Sequence, residues 1–157
     1  MCIVLDTNTL PLVFNTECAD HSEFAPVMRW VSKGKGFLVY GGTKYKKELK
    51  KMSRYLKLVR LLRDAHKAYE IDRSEVDKHA RNITVMTRGT RCNDQHLIAI
   101  LAVSGCMLLC SQDSRADEFV KDSRFYQNKR PRIYRRAAQA KQLLSDKFIV
   151  KLRHVIQ

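Results

Sequence analysis

Cys2-Ile3-Val4-Leu5-Asp6-Thr7-Asn8 is the stretch whose reading decides the fold. Four apolar residues, two of them β-branched, are closed by a carboxylate and two polar residues. Such a run reads as a strand buried on both faces, as the central strands of parallel sheets are. In open parallel sheets the ligand crevice lies beyond the carboxyl ends of the strands, so Asp6 stands where chemistry is done. The alternative for Asp6 is that its side chain caps the helix that follows.

Working outward, the same pattern recurs once. Cys106-Met107-Leu108-Leu109-Cys110 is a second apolar run, and it ends in Ser111-Gln112-Asp113 with Asp117 soon after. Between the two runs, β and α segments alternate. Residues 11–21 form a turn region of no assigned type, residues 22–33 a helix with Phe24, Val27, Met28 and Val31 on one face, and residues 36–40 a strand closed by Gly41-Gly42. Thr43 is placed to cap a long helix over residues 44–67, whose stripe Tyr45, Leu49, Met52, Leu56 and Val59 carries Glu48 at its edge. Residues 68–71 fit a strand. Ser74 with Asp77 gives a weak capping-box signal for the next helix, and Asn93-Asp94 opens another that Gly105 closes. Residues 132–134 fit an edge strand because Pro131 cannot sit in a central one. Residues 137–144 are helical in composition, and residues 147–157 are a final element of no assigned type. This alternation implies a single domain over residues 1–157, a three-layer α/β/α fold with a mostly parallel central sheet. A basic segment from about residue 129 packs on that domain or extends it.

Charge points to a polyanionic partner. Thirty Lys and Arg against 16 Asp and Glu leave a net charge of +14. Nucleic acid is the commonest partner of such a domain, since Lys and Arg displace counterions from its backbone. Lys47, Lys50, Lys51 and Arg54 lie on the basic face of the long helix that Lys44 opens; these five with Arg88, Arg91, Lys129, Arg130 and Arg132 are candidates for holding that backbone. A solvated charged face is the plainer account of those cations. The five cysteines include no C-x-x-C pair, so they read as reduced core residues rather than a zinc ribbon or disulfide framework. No apolar run is long enough to span a membrane and no signal peptide opens the chain, so a soluble, cytoplasmic protein with no membrane partner is expected.

Glu48 resists the plain account. A carboxylate turned toward the core side needs a cation or a polar site, since burying it alone costs several kcal/mol. Asp94 has a plainer one, because an acid in the first turn of a helix suits the dipole. Parallel strands would nevertheless bring Asp6, Glu48, Asp94 and Asp113 to one sheet edge.

Taken together, Ile3-Val4-Leu5-Asp6-Thr7-Asn8, Glu48, Asn93-Asp94-Gln95-His96-Leu97-Ile98-Ala99 and Leu108-Leu109-Cys110-Ser111-Gln112-Asp113 with Asp117-Glu118-Phe119 resemble the motifs of the PIN-domain nucleases. The resemblance spans roughly residues 2–134. It implies a Mg²⁺- or Mn²⁺-dependent phosphodiesterase that usually acts on RNA and is often the toxin of a toxin–antitoxin pair, so an antitoxin protein and a homodimer are implied partners. Asp6, Glu48, Asp94 and Asp113 are then the catalytic carboxylates, and Asp6, Asp94, Asp113 and Asp117 the candidate metal ligands. Thr7, Asn8, Asn93 and Ser111 would orient them. The sequence departs from the family pattern in two ways: Ser111 stands where Thr is usual, and Ser114-Arg115-Ala116 separates Asp113 from Asp117. Asp113, nearest the strand end, is favoured as the fourth ligand, with Asp117 as its substitute.

The chemistry of the residues agrees with the resemblance. Carboxylates crowded in one cleft repel, and a hard divalent cation with oxygen ligands is the simplest compensation. Its task on a phosphodiester is to activate water and neutralise the leaving oxygen. The rival readings are a non-catalytic RNA- or DNA-binding protein on the same fold and a DNA nuclease, since nothing in the sequence reports on a 2′-hydroxyl. A basic domain docking on an acidic protein would leave Glu48 unexplained.

Overall fold

A computed structural model describes residues 1–127, 129–146 and 150–156. In chain order the elements are β1 (Cys2–Leu5), α1 (Leu10–Phe14), α2 (His21–Ser32), β2 (Phe37–Gly41), α3 (Thr43–Lys50), α4 (Ser53–Asp64), β3 (Ala68–Ile71), α5 (Arg73–Met86), α6 (Gln95–Ser104), β4 (Leu108–Cys110), α7 (Asp117–Val120), β5 (Arg132–Tyr134) and α8 (Ala140–Leu143). The five strands form one parallel sheet in the order β3-β2-β1-β4-β5 between layers of helices, a three-layer α/β/α fold. Residues from about 129 onward extend this sheet through β5.

All four residues of β1 are buried because β1 is the centre of the sheet, paired with β2 on one side and β4 on the other. The chain steps outward from β1 to β2 to β3. Helices α5 and α6, packed on each other, then return it across the sheet to β4. The reversal leaves a crevice at the carboxyl ends of β1 and β4, where ligands bind in open α/β sheets. Leu5 pairs with Cys110, so the next residues, Asp6 and Ser111, meet at that crevice.

The sheet elements follow the apolar runs closely, and the helices differ from expectation in three places. The long helix is two helices. Lys51 and Met52 close α3 by bonding back to Glu48 and Leu49 carbonyls at 3.1 and 3.0 Å, and the Met52 carbonyl then accepts from both Tyr55 and Leu56. The break lets Lys51 and Met52 line the crevice while Tyr55 and Val59 remain in the core. Thr43 is not a cap but the first helical residue, after Gly42 at φ 79°, where an added Cβ would sit 2.6 Å from Val76. Asp77 is not a capping-box partner either: Asp72 caps α5 by accepting from the Glu75 amide.

Asp77 reaches back instead to α3, accepting from the Thr43 amide at 2.8 Å and the Thr43 hydroxyl at 2.6 Å. It thus caps, from a distance, the helix that carries Glu48. Asp77→Ala is expected to cost about 1–2 kcal/mol, as loss of a strong cap does. Urea denaturation reads it; an unchanged midpoint would show that water replaces the carboxylate without loss.

Four of the five cysteines are buried and Cys18 is half-buried, all of them free thiols. Gly105 closes α6 at φ 78°, as expected. Residues 137–144 split into a 3₁₀ turn, Ala137–Gln139, and α8. Of the final segment, Lys147, Phe148, Ile149 and Gln157 lie outside the described residues. Val155 bridges antiparallel to Ile71, and the His154 carbonyl accepts from Asp72 at 2.7 Å. This strap covers the free edge of β3, which would otherwise present unpaired backbone groups. Among the described residues no helix is long and apolar enough to cross a membrane.

Candidate active site

Asp6, Glu48 and Asp94 face one cavity of about 410 Å³ at the crevice. Asp94 and Asn93 also line an adjoining cavity of about 360 Å³, which Asp113 completes. The four carboxylates expected to converge are therefore arranged as three and one, with Asp94 shared.

Asp6 is held by the end of β4 and by its own following turn. Its amide donates to the Cys110 carbonyl at 3.0 Å, and its Oδ2 accepts from the Ser111 hydroxyl at 3.2 Å. Its Oδ1 accepts from the Asn8 amide at 3.3 Å, capping the 3₁₀ turn Thr7–Thr9, so the capping role coexists with the crevice position. The Ser111 oxygen in turn accepts from the Asp113 amide at 3.2 Å, linking the two carboxylate-bearing strand ends. Only 8% exposed, Asp6 has its pKa raised above the usual carboxylate value by burial; the hydrogen bond from Asn8 opposes this and the Asp94 charge adds to it.

Asp94 precedes α6 as its cap residue, with its carbonyl accepting from Leu97 and Ile98, yet its carboxylate caps nothing. Burial raises its pKa. His96 and Lys44 oppose that shift, while Asp113 and Glu48 reinforce it. Helix capping therefore does not account for this side chain.

Glu48 behaves differently. Its Oε2 accepts from the Thr7 hydroxyl at 2.9 Å and lies 3.4 Å from His96 Nε2. At that separation the imidazole attracts the carboxylate without being aligned as a hydrogen bond. The His96 contact is the main reason why the pKa of Glu48 is lowered, with burial opposing. Beneath both acids, the Tyr45 hydroxyl donates to the Leu5 carbonyl at 2.8 Å; burial first, then the Asp6 and Glu48 charges, push its titration far up. In a chain of net charge +14, this spot is locally anionic.

Asp113 and Asp117 already have cations. Asp113 accepts from its near neighbour Arg115 through Nε and Nη2, each at 3.0 Å, and this holds its pKa low. Asp117 is gripped in a two-pronged pair by Arg135, with Nη1 at 2.8 Å from Oδ2, and it lines neither cavity. Arg135 also donates to the Ser111 and Asp113 carbonyls, so it braces the loop after β4. Of the two, Asp113 is the one at the crevice.

The expected backbone-binding cations separate. Lys44 and Lys51 line the carboxylate cavity, with Lys44 Nζ donating to the Asn93 carbonyl at 2.8 Å, and Arg91 lines the adjoining one. Lys50 faces a separate cavity with Arg60 and Arg63; Lys47, Arg54 and Arg88 are exposed outside both crevice cavities. Lys129, Arg130 and Arg132 lead into β5, and Arg132 pairs with Leu108 at the start of β4. They stand at the opposite end of the sheet from the carboxylates.

Protein families, curated proteins and solved structures yield no match to this chain. The site has to be read from its own chemistry.

Three participants escape the sequence. His96 is 5% exposed and reads as a core residue of an apolar helix; nothing in its spacing marks it as the neighbour of Glu48. Tyr45 lies three residues before Glu48 in the apolar stripe, a position that signals proximity but not the use of its hydroxyl. Arg135 is hidden in a basic run.

Among the described residues no three His, Cys, Asp or Glu side chains are drawn together as a ready-made metal cage. Mg²⁺ does not ask for one, since it binds through one or two carboxylates together with waters and substrate phosphate. Asp6 and Asp94 fit that donor set: hard oxygen ligands that repel one another, with no cationic side chain hydrogen-bonded to either carboxylate among the described residues.

Proposed function

We propose that this protein is a divalent-metal-dependent endoribonuclease of the PIN-like kind. The observation that carries the reading is the pair Asp6 and Asp94, one buried and one half-buried carboxylate at the switch point of a parallel sheet, both with raised pKa and neither hydrogen-bonded to a cationic side chain among the described residues. Ligands of that type at that place call for a hard cation. Asp6 and Asp94 would hold Mg²⁺ or Mn²⁺, which when bound would supply charge to phosphoryl oxygens and acidify water, with Asp113 kept by Arg115 beside them.

The chain's own groups do the rest. Ser111 and Asn8 fix the Asp6 carboxylate, and Arg135 braces the Ser111–Asp113 loop. Thr7 and His96 keep Glu48 ionised and oriented, leaving Oε1 without a partner among the described residues. That oxygen, on a carboxylate whose pKa is lowered, is the acceptor proposed for a proton of the attacking water. Lys44, Lys51 and Arg91 hold the flanking backbone, contacts that position without reading sequence. RNA as substrate, and an antitoxin and a homodimer as partners, come with the PIN resemblance.

Lys51→Ala is expected to weaken RNA affinity about equally for unrelated sequences and to lower the salt slope by roughly 0.7, the value for one single-strand phosphate contact. Fluorescence anisotropy across a salt series measures both.

One observation favours a second reading, a non-catalytic RNA- or DNA-binding protein: Arg115 already neutralises Asp113. A single assay separates the readings. End-labelled RNA and single-stranded DNA are incubated with the full chain and Mn²⁺ or EDTA. Cleavage of RNA with Mn²⁺ alone supports the proposal; cleavage of DNA in preference makes it a deoxyribonuclease. Binding without cleavage of either leaves the second reading.

A further inference from the structure

The adjoining cavity of about 360 Å³ shares Asn93 and Asp94 with the carboxylate site, but its other walls differ in kind. Phe119 packs against the core and also lines the cavity, beside the buried Ala116. Arg115 and Arg91 stand at its rim. The guanidinium plane of Arg115 is fixed by its two bonds to Asp113, while the side chain is 88% exposed, so a flat group has a prepared cationic surface to lie against.

A bare phosphate does not suit this space, because Asp94 and Glu118 would repel it and Arg115 is already paired with Asp113. A neutral planar ring does. Aromatic and guanidinium planes are the surfaces on which proteins stack unpaired nucleobases, and this volume lies in the range of small-ligand pockets. We propose that the cavity is a subsite for one unpaired nucleobase beside the scissile phosphate, with Phe119 as the ring on which that base stacks. A base within a duplex is stacked on both sides and has no free face to offer. The inference rests on the ribonuclease reading above.

The test uses the full chain in EDTA, so that RNA stays intact, and a single-stranded RNA carrying one 2-aminopurine, with a matched duplex for comparison. Wild type should quench the 2-aminopurine on binding and prefer the single strand. Phe119→Leu keeps an apolar side chain against the core but has no ring; it should lose the quenching and about tenfold in single-strand affinity, against less than about twofold for duplex. Phe119→Trp should retain both. If Phe119→Leu quenches and discriminates as wild type does, the subsite is wrong while Mn²⁺-dependent cleavage keeps the ribonuclease reading. If wild type binds neither RNA, that reading falls and takes the subsite with it.

Discussion

Asp6→Asn and Asp94→Asn should each abolish Mn²⁺-dependent RNA cleavage while RNA binding in EDTA stays equal or tightens. Both replacements keep the shape of the side chain and remove only the charge that would hold the ion. At position 6 the amide oxygen can still accept from the Asn8 amide while the amide nitrogen donates to the Ser111 hydroxyl oxygen, so the strand-end geometry persists. The loss should exceed the about 10- to 100-fold that follows removal of partners one step further from a metal. Binding should not suffer, because each substitution removes a negative charge from the path of a polyanion. Asp117→Asn provides the contrast: its carboxylate serves Arg135, so cleavage should slow through a loosened Ser111–Asp113 loop rather than vanish. Single-turnover rates with saturating Mn²⁺, beside anisotropy in EDTA, decide it. If either mutant at position 6 or 94 cleaves near the wild-type rate, or if wild type cleaves in EDTA, the metal mechanism is lost.

The sheet was legible because apolar runs of four or five residues closed by polar ones leave few alternatives. Cys2 to Leu5, the run ending at Tyr40 and the run ending at Cys110 all became strands. Pro131 correctly marked β5 as an edge. Helix boundaries were harder, since Lys51-Met52 carries no Gly or Pro and the break there is a tertiary effect of packing against the crevice. Caps misled for the same reason: Asp77 bonds across 34 residues, a contact that local spacing does not encode. At the site, the residue types at the strand ends were readable, but their pairing was not. Arg115 two residues from Asp113, and Arg135 eighteen from Asp117, turn two of the candidate ligands into ion pairs. The basic runs read as one surface because sequence gives charge without direction. Folding sends Lys44 and Lys51 to one end of the sheet and Lys129 and Arg130 to the other.

Stability gives a test of Asp94 that needs no catalysis. Burial, Asp113 and Glu48 together outweigh the help that Asp94 receives from His96 and Lys44, so its pKa is raised on folding, as is that of Asp6. For a carboxyl group shifted in that direction, the fold is favoured while the proton stays on. That advantage is complete below the ordinary value of 3.8 and is lost as pH climbs through the raised one. Glu48 and Asp113 act oppositely, adding stability above their ordinary values that disappears as pH falls through their lowered ones. Asp94→Asn removes only the first kind of contribution. The metal-free mutant should therefore melt with the wild type below about pH 4 and above it at neutral pH, gaining about 2–4 °C for each kcal/mol relieved. A helix dipole acting alone would give the opposite sign, a loss of about 0.3–1 kcal/mol on neutralising Asp94, but the carboxylate makes no cap bond. Mn²⁺ at a hundred times its Kd should add about 2.7 kcal/mol to the wild type, roughly 5–11 °C, and less to the mutant. Thermal melts from pH 3.5 to 7.5, with EDTA and with Mn²⁺, separate the outcomes: a mutant that melts lower than wild type in EDTA at neutral pH, with an equal Mn²⁺ shift, would leave Asp94 as a helix-terminal acid and nothing more.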